Sequence, residues 1–365
     1  MVIISLEYNS YKKDIMIKIG QIKIFAELQA LIDKINMFND AWPTLKHSLA
    51  PEQLKRLRHI ATIESIGSST RIEGAKLSDR EVEALLSGLT TQSFKSRDEE
   101  EIAGYGYVME EVFASYEYIP LTENYIKQLH AMLLKYSTKD MRHRGDYKKH
   151  PNNVEAFDTQ GKSLGIVFET SSPFDTPREM EQLVHWTNDA LINHSLNPLT
   201  VIGVFVVLFL AIHPFQDGNG RLSRVLTTLL LLKSGYSYVP YSALESVIEH
   251  NKEGYYRALR RTQTTFKTEN PDFDPWLLYF LRSLVKQIEH LEVKIKHEQI
   301  ARPSLPPLAA DILQLIQQKN KATMADIAQA TNAPRSTIKK HLNFLIDQKY
   351  IMRHGKGRAI WYTLA

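Results

Sequence analysis

From about Ile24 to Ile212, apolar residues recur at intervals of three and four, the spacing that gathers them on one face of successive helices. Leu54, Leu57, Ile60 and Ala61, with Glu64 on the same spacing, predict a helix over roughly Pro51–Ile66. A second helix is expected to begin at Ser78, where Ser78-Asp79-Arg80-Glu81 has the form of a capping box. The run VIGVFVVLFLAI (201–212) is apolar all round and too short to cross a bilayer, so it predicts a buried helix. Pro214 cannot continue that helix, and LSRVLTTLLLLKSG (222–235) opens the next.

The stretch 143–176 breaks the pattern: it is rich in Gly, Pro, Asn and Asp, with β-prone pieces at Val154–Phe157 and Ile166–Phe168. It predicts a hairpin flap turning around Asp158–Gly161, followed by a helix from about Pro177 to Asn193. Asp274-Pro275, a cap with proline at the first helical position, opens a long helix to about Gln299. The prolines of RPSLPP (302–307) form a stiff linker. Beyond it the chain has the rhythm of a winged helix-turn-helix: helices at Ala309–Gln318, Thr323–Thr331 and Pro334–Gln348, then strands at Ile351–Arg353 and Ala359–Leu364 joined by Gly355-Lys356-Gly357-Arg358. The expected class is mainly α, with a short β-hairpin flap and a small winged helix-turn-helix domain. The expected division is a helical region at 1–100, a main domain with its long helix at 101–300, the linker at 301–307 and the winged helix at 308–365.

The 365 residues are 43% hydrophobic and 24% charged, enough for one large and one small globular domain. There is no cysteine, which removes disulfides, zinc–thiolate sites and thiol nucleophiles. Residues 1–20 have no long apolar core and no small-residue cleavage site, so the cytoplasm is the expected location and no membrane association is foreseen. The net charge of +4 is uneven: residues 301–365 hold ten Lys/Arg against three Asp. Any attraction to nucleic acid belongs to that tail, where Arg335, Ser336, Thr337, Lys339 and Lys340 stand near the start of the third helix, as on a recognition helix.

The candidate chemistry lies in HPFQDGNGRLSR (213–224). His213, at a helix end and against the packed core, can accept a proton near neutral pH. Gly218-Asn219-Gly220 lets the backbone aim N–H groups into an anion-binding nest at the start of a helix. Asp217 beside a phosphate calls for a divalent cation, Mg²⁺ being the natural choice. Arg221 and Arg224 share one face of the first helical turn, where two cations need an anion to compensate them.

HPFQDGNGR matches at every fixed position the signature H-P-F-x-[DE]-G-N-[GK]-R, and Arg224 completes its longer form, so the chain resembles the Fic family over roughly residues 100–265. The resemblance implies a Fic-type helical core and transfer of AMP from ATP to a Ser, Thr or Tyr hydroxyl of a protein, this chain itself included, with release of pyrophosphate. His213 would be the base, and Asp217 would hold Mg²⁺. Gly218, Asn219, Gly220, Arg221, Leu222, Ser223 and Arg224 would bind ATP, Arg221 at the β-phosphate and Arg224 at the γ-phosphate. Glycine at 220 goes with nucleotidyl transfer in this family, where lysine goes with phosphoryl transfer. Tyr255 and Tyr256 match an aromatic pair that flanks adenine. Gln263 departs from the asparagine often found there, which leaves that contact open. The flap strand Val154, Glu155, Ala156 and Phe157 would pair with the target's backbone.

SSTRIEG (68–74) carries the form [ST]-x-x-x-E-[GN] in Ser69, Glu73 and Gly74, which resembles the Fic inhibitory motif. Ser69 and Glu73 lie one helical turn apart, and Glu73 would occupy Arg224 in place of the γ-phosphate. Two other readings stay open: a DNA-binding transcriptional regulator that uses the Fic core as a nucleotide sensor, and an enzyme whose Glu73 also positions water to remove AMP. Fic proteins of this kind often self-associate, so the resemblance allows a homodimer.

Overall fold

The computed structural model describes residues 24–88, 94–157, 163–194, 196–266, 268, 270–301, 305–355, 357 and 360–364. Expectations for residues 1–20, for the turn at Asp158–Gly161 and for linker residues 302–304 lie outside these. Two compact units emerge: the chain up to Trp42 with Arg58–Leu291, and Pro43–Leu57 with the chain from Glu292 onward.

The first unit holds most of α1 (Ala26–His47) and α2 (Pro51–Ile72), with α3 (Asp79–Ser87), α4 (Arg97–Ser115) and α5 (Glu123–Leu133). The antiparallel hairpin β1 (Val154–Phe157) and β2 (Ser163–Phe168) follows. After it come α6 (Thr176–Ile192), α7 (Pro198–Ile212), α8 (Asn219–Lys233), α9 (Leu244–His250), α10 (Lys252–Gln263) and the part of α11 (Asp274–Ala301) up to Leu291. α7 is the central helix: its residues from Leu199 to Ile212 are all buried, and α6 and α8 pack along it. At roughly 1.5–3 kcal/mol for each large apolar side chain taken from water, this helix anchors the core. α11 closes on it at Gly203, where an added Cβ would stand 2.7 Å from Leu277, and Trp276 Nε1 donates to Gly203 O at 2.7 Å.

α3 starts where expected: the Glu81 carboxylate accepts from the Ser78 N–H at 2.8 Å and from its hydroxyl at 2.7 Å. α2 runs six residues past its predicted end. The apolar spacing lapses there because the buried face at 68–70 is made of Ser68, Ser69 and Thr70. Thr70 Oγ1 turns its donor back onto the helix, to Ile66 O and Gly67 O.

In the second unit, α12 (Pro307–Lys319), β3 (Ala322–Thr323), α13 (Met324–Thr331), α14 (Arg335–Asp347), β4 (Ile351–His354) and β5 (Trp361–Leu364) form a winged helix. Ile312, Ile316, Ile327, Ile338, Leu342 and Leu345 make its core. The sheet order is β3-β5-β4. β3 has no counterpart in the sequence reading, because two residues are too few to show a period. Among the described residues, no helix is long and apolar enough to cross a membrane.

Candidate active site

α7 ends against Pro214, and His213 caps it in the left-handed conformation, φ 52° and ψ 59°. Its Nδ1 lies 3.2 Å from Leu210 O. A carbonyl only accepts, so Nδ1 carries the hydrogen and Nε2 is left as the basic nitrogen of the neutral ring. Burial holds the imidazole down to about 4; the Leu210 bond opposes this, the Lys148 charge adds to it, and Glu73 and Asp217 oppose it. His213 is therefore neutral and able to take a proton at physiological pH.

The loop after it is fixed from within. Phe215 is fully buried and stacks on His130, ring centroids 3.8 Å apart. Asn219 uses both ends of its amide on Phe215, accepting from its N–H at 2.9 Å and donating to its carbonyl at 2.7 Å. His130 Nδ1 accepts from Gly145 N at 2.8 Å, so Nε2 carries the hydrogen given to Asp217 O at 3.0 Å. Gly218 takes φ 79°, which only glycine adopts freely, and α8 begins at the next residue. The first N–H groups of α8 thus open toward the cleft with no partner inside the helix.

Four charges close a ring at the cleft wall. Asp217 meets Arg221 at 3.3 Å and Arg97 at 2.8 Å. Glu101 meets Arg97 at 2.7 Å and Arg221 at 3.2 Å. Burial works against charge on Asp217, but Arg221, the Gly218 N–H and Arg97 outweigh it and hold its carboxyl below the usual range. Arg221 is 2% exposed; its Nη1 pairs with Glu101 and its Nε has no hydrogen-bond partner. Such a buried unpaired donor suits an anion. Arg97, Glu101 and His130 carry no signature in the sequence: each is a single polar residue on a helix remote from the loop it serves.

Arg224 is buried behind this ring. Its Nε donates to Ser69 Oγ at 2.8 Å, and its Nη2 to Ser69 O at 2.9 Å and to Glu73 Oε1 at 2.8 Å. Burial disfavours the Glu73 charge, but Arg224 and then Arg221 and His213 outweigh it and hold the carboxyl below its ordinary value. The end of α2, just ahead of Glu73, is pinned by Arg71, which pairs with Glu249 at 2.6 Å and Asp79 at 2.9 Å. Gly74 follows with φ 108°.

These groups surround a cleft of about 380 Å³ lined by Glu73, Arg97, His213, Asp217, Arg221 and Tyr256, among others. Tyr255 and Tyr256 both line it, Tyr256 42% exposed and Tyr255 buried against Trp276 and Tyr279. Gln263 also reaches the cleft. Leu222 and Ser223, expected at ATP, face the core instead, the Ser223 hydroxyl donating to Gly220 O at 2.7 Å. Val154, Glu155, Ala156 and Phe157 form β1, paired with Phe168, Ile166, Gly165 and Ser163.

No cluster of three metal-ligating side chains exists among the described residues. Asp217 is one carboxylate at the mouth of an anion nest, a donor set that fits Mg²⁺ carried in on nucleotide phosphates and water rather than in an all-protein cage.

Residues 120–231 match the Fic/DOC family model, and residues 309–352 match a model described as winged helix-turn-helix DNA-binding. The protein adenylyltransferase Fic of Drosophila mojavensis is 29% identical over 189 residues, 51% of this chain and 35% of that protein. Its namesake in Drosophila grimshawi is 30% identical over 185 residues, 50% of this chain and 35% of that protein. The chain thus spans about a third of the length of these relatives. A Fic family protein from Desulfovibrio desulfuricans shares the fold across 94% of this chain and 97% of its own, with TM-score 0.60 and 21% identity. A Fic domain containing signaling protein from Bacteroides thetaiotaomicron, 26% identical, covers 75% of this chain and 97% of its own with TM-score 0.57.

Proposed function

We propose, from the Fic domain and the C-terminal winged helix-turn-helix domain that this chain carries, that it is an autoinhibited protein adenylyltransferase. The observation that carries this reading is the neutral His213, its Nε2 free, beside an open helix N-terminus and two buried arginines with unpaired donors.

In the proposed reaction, ATP lies in the cleft with its phosphates on the first N–H groups of α8 and on Arg221, and with its base beside Tyr255 and Tyr256. The incoming Ser, Thr or Tyr oxygen attacks the α-phosphorus while His213 Nε2 takes its proton. The bond from that phosphorus to the bridging oxygen breaks, and pyrophosphate leaves with the electron pair. His213 then returns its proton to water. Base catalysis of this kind contributes about 10²–10⁴-fold, and backbone donors aimed at the developing charge contribute a comparable factor. Mg²⁺ on Asp217, when bound, would neutralise phosphate charge.

Glu73 blocks this reaction by holding Arg224, the group proposed for the γ-phosphate. Separating a shielded arginine–carboxylate pair costs about 3 kcal/mol or more, enough to lower the competent population more than a hundredfold. Intact mass spectrometry after incubation with Mg²⁺-ATP and a lysate tests the activity: the Glu73→Gly chain gains AMP on itself or a partner, and its His213→Ala derivative does not. No adduct on any protein would refute the reading.

DNA is the proposed partner of the winged helix. Arg335, Ser336, Lys339 and Lys340 are exposed at the start of α14, with Thr337 partly so, where a recognition helix meets phosphates and bases.

A further inference from the structure

Pro214 ends α7 abruptly and leaves the carbonyls of its end and of the following loop without helical partners. All four from Ile212 to Phe215 are taken by one short segment ahead of the flap. Lys148 Nζ donates to Ile212 O at 2.9 Å and Lys148 N to Pro214 O at 2.8 Å. Asn152 Nδ2 donates to His213 O at 3.1 Å and to Phe215 O at 2.6 Å. His213 sits in the middle of this ladder in a left-handed conformation. That conformation costs about 1–3 kcal/mol and persists only where the surroundings over-determine it.

The same lysine reaches both feet of the flap. Its ammonium has three donors; besides Ile212 O, they go to Asn152 Oδ1 at 2.8 Å and Thr170 Oγ1 at 3.0 Å. Asn152 lies two residues before β1 and Thr170 two residues after β2. Thr170 Oγ1 also donates to Asn152 Oδ1 at 2.9 Å. Lys148 is 3% exposed. Burial pulls it down to about 8, against the more distant charge of Glu179. A buried ammonium is expensive where an apolar side chain would pack as well, so its three aimed bonds point to a role beyond filling space.

We propose that Lys148 and Asn152 are positioning residues for AMP transfer: they hold His213 in its strained conformation and lock the flap to it, so that hydroxyl and base arrive in register. Neither residue lines the nucleotide cleft. This inference rests on the adenylyl-transfer reading above, with the flap as the target's docking strand.

The test introduces Lys148→Met, Asn152→Ala and Lys148→Arg into the full-length Glu73→Gly chain and follows AMP transfer. The first two are expected to lower kcat by about 10- to 100-fold, the loss that a misplacement of about 1 Å produces. KM for ATP should stay within about twofold, and Lys148→Arg, which keeps the charge, should recover part of the rate. Hydrogen exchange provides a readout independent of activity. In Lys148→Met, amides of 163–168 and of 213–219 should lose protection together, while α4 and α6 keep theirs. An unchanged kcat, a rise in KM for ATP alone, unchanged exchange in either segment, or loss of protection throughout the chain would each overturn the proposal. If the Glu73→Gly parent itself transfers no AMP, the transfer reading fails and the exchange data alone decide the positioning claim.

Discussion

The carboxylate of Glu73 occupies the space in which a side chain on Gly220 would begin: a Cβ added at Gly220 would lie 2.1 Å from Glu73 Oε1. The Glu73 contact is thus with the start of α8 as well as with Arg224. It depends on residue 220 having no side chain.

Replacing Gly220 by alanine should therefore eject Glu73 while leaving α8 intact, since alanine is the better helix former by about 1 kcal/mol. In a structure of Gly220→Ala, the Glu73 carboxylate should stand more than about 4 Å from Arg224, outside ion-pair range, with α2 otherwise in place. Persistence of the 2.8 Å contact would show that the start of α8 can take a side chain at 220 beside Glu73.

The state of His213 fixes the acid side of the pH profile. An ordinary histidine, with a pKa near 6.5, would be about three-quarters protonated at pH 6 and lost as a base. Burial holds His213 down to about 4, so it stays neutral as pH falls from 7.5 to 6. Removing Glu73 deletes a negative charge that raises this pKa, so the Glu73→Gly variant moves further in the same direction. Its AMP transfer should be flat between pH 7.5 and 6 and should fall only nearer pH 4. A loss of most of the rate by pH 6 would show that His213 titrates normally.

For the winged helix, full-length protein should bind duplex DNA with an affinity that falls steeply with salt. Lys339→Ala or Lys340→Ala should each weaken binding and reduce the logarithmic salt slope by about one. No binding to duplex DNA at low salt would instead favour a protein partner for α14.

What the sequence revealed and what it hid have physical reasons. The stretch 213–224 was legible because its backbone needs are local: Pro214 ends a helix, Gly218 adopts φ 79°, and Asp217, Arg221 and Arg224 lie close together. Ser69 and Glu73 were legible by spacing, one turn apart. The continuous helix beneath them was not, because its buried face at 68–70 is hydroxylic and breaks the apolar period. Arg97, Glu101 and His130 act across 87 to 120 residues of chain, and no local pattern announces such pairings. Lys148 and Asn152 stood in a segment that reads only as loop. Their one signal was a lysine and two asparagines just ahead of a strand, beside a proline-ended helix with carbonyls to satisfy. The expectation for Asn219 changed in kind: its side chain is committed to the backbone of Phe215, which leaves the loop's N–H groups for the phosphate contact proposed above.

The central claim is that Glu73 restrains an otherwise competent transferase. The most direct measurement is incorporation of label from α-³²P-ATP by purified wild type and Glu73→Gly at pH 7.5 with Mg²⁺. The account predicts that the variant labels itself or an added target about a hundredfold faster than wild type, in line with about 3 kcal/mol released from the Arg224 pair. Equal labelling of the two proteins would contradict it.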